Sequence, residues 1–299
     1  MSTTEKKVEP LATQHVLINE SRIAYGIYGE GAPLVLLHGT PSSSLIWRNV
    51  LPGLVSVGYK VHVYDLLGFG LSERPWDPAV DTSMTGQVPV LEGLLAHWGL
   101  EKGRFHLAAH DIGGGVAQRF AVESPGRLRS LTLVDVVSHD SYPSPRTREQ
   151  MRSGLDALAK APDADHRSHF RDWLLSAVRD EAGLGRSGAL DAYLSYISGP
   201  LGQASFFEHQ VRHYDPKHTV DVSPLLGPTL GGGGDGGGRV PVKIIWGADD
   251  SWQVPSWAAR LAGEVPGSEL DLVEGAGHFS LEDRPDRVSE LLVAFLGKH

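Results

Sequence analysis

The sequence predicts an α/β protein with a mostly parallel central sheet, helices on both faces and a helical insert, and three observations carry that expectation. Compact apolar segments alternate with amphipathic ones along most of the chain. The apolar segments lack the every-second-residue polarity of a half-exposed strand, which suits strands covered on both sides. Between residues 138 and 228 this rhythm stops, and the chain becomes helical and aromatic. Strand alternating with helix is the pattern of a parallel sheet, whose ligands bind beyond the carboxyl ends of its strands.

Taken in order, the segment from Val16 to Tyr28 reads as an antiparallel hairpin turned at Asn19 and Glu20. Strands are then expected at 33–39, 60–68, 104–111, 128–137, 240–247 and 269–275. Helices are expected at 84–99, 114–124, 254–264 and 286–297. This assigns the core to residues 1–137 and 229–299. Residues 138–228, with "REQMRSGLDALAKA", "FRDWLLSAVRDEAG" and "FFEHQVRHYD", become a helical cap over the ligand end of the sheet. The tract "LGGGGDGGGR" at 230–239 reads as a mobile surface linker. It occurs once and lacks the repeated apolar and acidic positions of a calcium-binding repeat, so no metal is assigned to it.

A chain of 299 residues with 41% apolar composition buries a substantial core. Its 27 basic and 36 acidic side chains give a net charge of −9 and no basic tract, which disfavours nucleic-acid and anionic-membrane partners. The absence of cysteine excludes disulfides, thiolate nucleophiles and Cys-ligated metals. The N-terminal "MSTTEKKVEPLATQ" is polar, and no run is long enough to span a bilayer. The expectation is a soluble, cytoplasmic protein that takes a small neutral organic substrate and water, with a homo-oligomer left open.

The chemistry is expected around "HLAAHDIGGGVAQRF", residues 106–120, where an apolar strand breaks into glycines at a carboxylate, Asp111. A lone Asp in such a place is ordinarily a helix cap. Ala109 and Gly113 flank it with small residues, however, as a sharp strand-to-helix turn that exposes a reactive side chain requires. The amide of Ile112 and the helix N-terminus would then lie ready to stabilise developing negative charge. A second strand ends in "LHGTP", 37–41, where the Thr40 amide can face the same point, with His38 beside it. Downstream, "IIWGADDSWQVP" offers Asp249 and Asp250 after a buried strand, and "VEGAGHFSLEDRPDRV" carries His278 in a glycine-rich loop. The chain order of nucleophile, acid and histidine is that of a hydrolase triad.

As a set, "HGTPSSSLIWRNVLP", "YDLLGFGLSERP", "AAHDIGGGVAQRFA", "WGADD" and "GAGHFSLEDRPDRV" make residues 20–298 resemble the α/β-hydrolase superfamily. They also resemble the branch of epoxide hydrolases and haloalkane dehalogenases in which the nucleophile is Asp. The resemblance implies an α/β-hydrolase fold, no cofactor, and a triad of Asp111, Asp250 and His278. The acid of the family's G-x-x-D pattern falls on Asp250, with Asp249 as fallback. Because some dehalogenases take the acid from the end of the preceding core strand, Asp135 in "LTLVDVV" is a further alternative.

An Asp nucleophile narrows the reaction. Carboxylate attack on an acyl carbon yields a labile anhydride, whereas attack at sp3 carbon yields an alkyl ester by opening an epoxide or expelling halide. Family epoxide hydrolases support the epoxide oxygen with cap tyrosines, and here Tyr142, Tyr193, Tyr196 and Tyr214 are available. Dehalogenases of the branch cradle halide with an indole N–H directly after the nucleophile and a second Trp or Asn in the H-G-x-P turn, where this chain has Ile112 and Thr40. Many epoxide hydrolases also carry Trp where Ile112 stands, so the departure cuts both ways. Trp47, Phe69, Trp252 and Phe279 are candidates for an apolar pocket wall. Epoxide hydrolysis is the leading expectation. Dehalogenation, ester or lactone hydrolysis or a tailoring rearrangement, and non-catalytic ligand binding are the alternatives.

Overall fold

The computed structural model describes residues 8–77, 79–231 and 239–299. Eight strands form one sheet in the order β1-β2-β4-β3-β5-β6-β7-β8. They are β1 (Gln14–Ile18), β2 (Ser21–Tyr28), β3 (Ala32–Leu37), β4 (Tyr59–Tyr64), β5 (Phe105–His110), β6 (Leu128–Val134), β7 (Val242–Gly247) and β8 (Glu269–Val273). The hairpin β1–β2 and the β2–β4 pairing are antiparallel, and every pairing from β4 to β8 is parallel. Asn19 and Glu20 turn the hairpin with positive φ, as its two-residue loop requires. Every residue of β5 and β7 is buried, in keeping with strands covered on both faces.

The helices of the first half are α1 (Leu51–Ser56), α2 (Met84–His97) and α3 (Ile112–Glu123). Between β6 and β7 the chain is helical: α4 (Pro145–Ser153), α5 (Leu155–Ala159), α6 (Asp163–Leu175), α7 (Glu181–Ser187), α8 (Ala189–Ile197), α9 (Gly199–Ser205), α10 (Lys217–Val220) and α11 (Ser223–Thr229). The last three are α12 (Ser256–Glu264), α13 (Ser280–Asp283) and α14 (Pro285–Leu296), which packs on α1, while α2 packs on α3. Among the described residues, no helix is long and apolar enough to cross a membrane. The glycine-rich tract expected as a linker falls mostly on residues 232–238, outside the described residues.

Strand order is what positions the site. Because β3 lies between β4 and β5 and pairs with β5 through Leu37 and Ala109, the loops leaving these two strands emerge side by side. The α3 glycines let the loops close on one another. A Cβ on Gly114 would sit 2.2 Å from Val136 Cγ1, just beyond β6. Helix propensity alone would favour alanine there by up to about 1 kcal/mol, but overpacking of this kind costs about 1–3 kcal/mol. Gly114→Ala is therefore expected to lower the denaturant midpoint, and a raised midpoint would show that propensity wins.

Candidate active site

Asp111 stands between β5 and α3 at φ 50° and ψ −122°, a conformation that strains a side-chain-bearing residue. Its side chain does not cap α3, which disposes of the ordinary helix-cap role. Instead Oδ1 accepts a 2.7 Å hydrogen bond from the Thr40 amide. Gly39 makes this approach feasible, since a Cβ there would lie 2.3 Å from the Asp111 Cβ. The Ile112 amide also helps hold the carboxylate in its ionised form.

On its other side, Asp111 Oδ2 lies 3.4 Å from His278 Nε2. The opposite ring nitrogen, Nδ1, donates to Asp250 Oδ2 at 2.9 Å. Asp250 is itself fixed, its Oδ1 accepting from the amides of Trp252 at 2.8 Å and Gln253 at 2.9 Å. His110 Nε2 meets the His278 carbonyl at 2.9 Å and buttresses the loop. Burial alone would depress the His278 pKa, but Asp250 and then Asp111 outweigh it and hold the imidazole well above its ordinary value. Burial would likewise raise Asp111, yet His278 keeps its carboxyl below the usual range. Both shifts favour an imidazolium held between two carboxylates.

The two other acid candidates lie elsewhere. Asp249 is exposed and sits 3.5 Å from Arg179, away from His278. Asp135 is buried at the end of β6, where it accepts from the Gly247 amide at 2.6 Å and from the Ser280 hydroxyl. It thus ties β7 to the loop carrying His278. Burial, and then the neighbouring Asp250, push its carboxyl well above the ordinary range, which favours the neutral form behind the site.

A cavity of about 400 Å³ opens onto Asp111, Thr40 and His278. Of the expected wall and cap residues, Trp252, Tyr142 and Tyr214 line it. The Tyr142 and Tyr214 rings lie 4.9 Å apart, and the Tyr214 hydroxyl donates to Thr40 Oγ1 at 2.8 Å. The remaining candidates do not reach the cavity. Tyr193 donates to Glu282 inside a buried network with Arg48, and Tyr196 offers its carbonyl to Arg74. His38 braces the loop after β4 by accepting from the Leu66 amide, with Phe69 packed on its edge. Trp47 donates to the Leu37 carbonyl in the core, and Phe279 packs against His110. The wall also contains residues that the sequence did not single out, chiefly Arg146, Trp173 and Phe206. They come from separate helical segments, and no local pattern announced that they converge.

The alpha/beta hydrolase family profile matches residues 34–291. The chain belongs to that family. The hydrolase is 27% identical to a 2-hydroxy-6-oxononadienedioate/2-hydroxy-6-oxononatrienedioate hydrolase from Dechloromonas aromatica, covering 99% of each chain. It is 25% identical to haloalkane dehalogenase 2 from Mycobacterium tuberculosis, over 99% of this chain and 98% of the other. Among solved structures, it superposes on an alpha/beta hydrolase fold protein from Burkholderia ambifaria with a TM-score of 0.83 and 29% identity, covering 97% and 99% of the two chains.

The geometry separates the three acids experimentally. Asp250→Asn is expected to reduce turnover on the order of ten-thousandfold, by analogy with loss of the orienting carboxylate in a triad, while Asp249→Asn stays within a few-fold. In Asp135→Asn, the amide can still accept from Gly247 and can donate to Ser280. Because Asp135 has a raised folded-state pKa, its contribution to stability is full below the ordinary carboxylate pKa and is lost as pH rises toward the folded value. Asp135→Asn should therefore hold or raise the thermal midpoint at neutral pH. A midpoint that falls would contradict a neutral Asp135.

Proposed function

We propose that this hydrolase opens an epoxide to a diol through a covalent alkyl ester on Asp111, without a cofactor. The observation that carries this reading is the pair Tyr142 and Tyr214, whose rings line the same cavity as the Asp111 carboxylate. Ring opening leaves an alkoxide, and phenol hydroxyls are suited to support and protonate it. Among the described residues the Tyr142 hydroxyl has no acceptor, while that of Tyr214 rests on Thr40. In this reading residues 138–228 act as a cap, bringing the tyrosines over the site.

In the first step an Asp111 oxygen attacks an epoxide carbon, and that carbon's bond to the ring oxygen breaks. The alkoxide takes a proton from a tyrosine hydroxyl, which the His278 imidazolium replaces, leaving ester, alcohol and neutral imidazole. Esterification removes one of the two carboxylates that raise the His278 pKa, so His278 becomes a base when one is needed. In the second step His278 takes a proton from water as its oxygen attacks the Asp111 carbonyl carbon. The Thr40 and Ile112 amides face the oxygen that becomes negative. The ester C–O bond then breaks and the departing oxygen takes the remaining acid proton. Diol, carboxylate and imidazolium result.

The relative named haloalkane dehalogenase 2 supplies the observation that favours a second reading, displacement of halide by the same carboxylate. Against it, Ile112 and Thr40 present no side-chain N–H to a leaving halide, and the Trp252 indole N–H is engaged by Ser176 Oγ at 3.0 Å. Halide displacement also leaves the His278 proton with no alkoxide to accept it.

His278→Gln should accumulate the ester, seen by intact-protein mass spectrometry and located on the peptide containing Asp111. Slow turnover with no adduct would sink the two-step scheme. Tyr142→Phe or Tyr214→Phe should lower epoxide turnover roughly a hundredfold, or about 3 kcal/mol. Halide release from chloroalkanes with no diol from any epoxide would select the second reading.

The proton inventory also fixes a pH signature. The free enzyme reacts with Asp111 ionised and His278 protonated, so kcat/KM should hold to pH values below the ordinary carboxylate range and decline only above the ordinary imidazole value of 6.5. An activity that instead rises through that value on the way to alkaline pH would show that free neutral His278 is required.

A further inference from the structure

Arg146, the second residue of α4, lines the cavity that opens onto Asp111. Its guanidinium lies 4.3 Å from the Trp173 ring centroid. Trp173 stacks on Trp252 at 4.5 Å and 11°, and Trp252 stacks on His278 at 5.0 Å and 28°. A column of two indoles thus separates a cation from the triad histidine and forms one wall of the cavity.

The charge of Arg146 is left uncompensated. Nη2 bonds to Nε2 of His169, a neutral imidazole acceptor rather than a carboxylate. Nη1 is buried, and no group among the described residues accepts its hydrogens. No ion pair to Arg146 is found among the described residues, and burial alone lowers its pKa, to about 10. Arg48 pairs with Glu282, whereas Arg146 lines the open cavity with no acid beside it among the described residues. A half-buried guanidinium with one amino group committed and the other unsatisfied suits a small planar anion, for which Arg geometry is adapted.

We infer that Arg146 forms an anion subsite at the far end of the cavity and that the substrate carries a carboxylate there. The inference deepens the epoxide reading, on which it rests for the group that reacts at Asp111. The substrate class becomes an epoxide whose apolar chain runs along the Trp173–Trp252 wall, with its carboxylate on Arg146 and its oxirane at Asp111. This replaces the neutral substrate expected from the net charge of the whole chain, which says nothing about one cation inside a cavity.

Binding and turnover test the subsite separately. Hexanoate and hexanamide are titrated calorimetrically into the wild type, Arg146→Met, which keeps the stem against Trp173, and Arg146→Lys, which keeps the charge. A medium-chain series of terminal epoxy-alkanoates is then compared with the matching carboxamides by kcat/KM. The wild type should favour hexanoate over hexanamide, and the epoxy acid over its amide, by on the order of tenfold to a hundredfold, as a charge-assisted hydrogen bond allows. Arg146→Met should bring both ratios close to one, and Arg146→Lys should retain part of each, which also guards against a folding defect in the Met variant. Absence of hexanoate preference in the wild type, or an equal preference in Arg146→Met, overturns the subsite. Hexanoate binding that depends on Arg146, with no epoxide turned over, upholds the subsite and overturns the epoxide reading instead.

Discussion

The structure is organised around keeping one buried carboxylate ionised. An isolated anion at this depth would be protonated or expelled, because burial penalises the charged form by several kcal/mol. Asp111 escapes that outcome through contacts that come from opposite sides of the sheet order: the Thr40 amide after β3, and His278 after β8. Each contact has its own support. Gly39 permits the first approach, and Asp250, held by two amides, orients the second. Placing β3 beside β5 is what lets a backbone amide and a carboxylate some seventy residues apart in the chain share a hydrogen bond. The strained backbone at Asp111 is the local cost of aiming that side chain out of the sheet.

The histidine is the hinge of the chemistry for the same electrostatic reason. Two carboxylates flank it, and burial, then the nearness of Asp250, push a third acid, Asp135, toward its neutral form. In the proposed scheme, esterification of Asp111 would remove one negative charge beside His278 and turn it from proton store to base with no movement of the scaffold. The helical segment between β6 and β7 lines the cavity onto which Asp111 opens. It supplies the tyrosine pair near Asp111 and, at the other end of a stacked indole wall, the unpaired cation of Arg146.

Strands and helices of the core were legible because their signals are local. Apolar runs gave β3 to β8 to within a few residues, and small residues around Asp111 gave the sharp turn. The pairing of β2 with β4, and not only with β1, had no sequence signal, because partner choice in a sheet is a long-range matter. Within the site, Asp250 was separable from Asp249 only by its place in the G-x-x-D pattern, and the structure sets the two apart by burial and by contact with His278. The tyrosines were not separable at all. Tyr193 and Tyr196 sit one turn apart on α8 and look as available as Tyr142 and Tyr214, yet a buried Arg48–Glu282 pair claims the Tyr193 hydroxyl. Arg146 was invisible for a related reason: its significance is that no acid among the described residues pairs with it, and that depends on the α6 side chains His169 and Trp173 lying against it.

The central claim, that Asp111 and not water forms the first new bond to carbon, is tested most directly by isotope placement. A single turnover in heavy-oxygen water, with enzyme in excess over an epoxide substrate, should yield diol that carries no label and place the label in the Asp111 carboxylate, since water attacks the ester carbonyl. Label in the diol after that first turnover, with Asp111 unlabelled, would mean direct attack by water and would contradict the account.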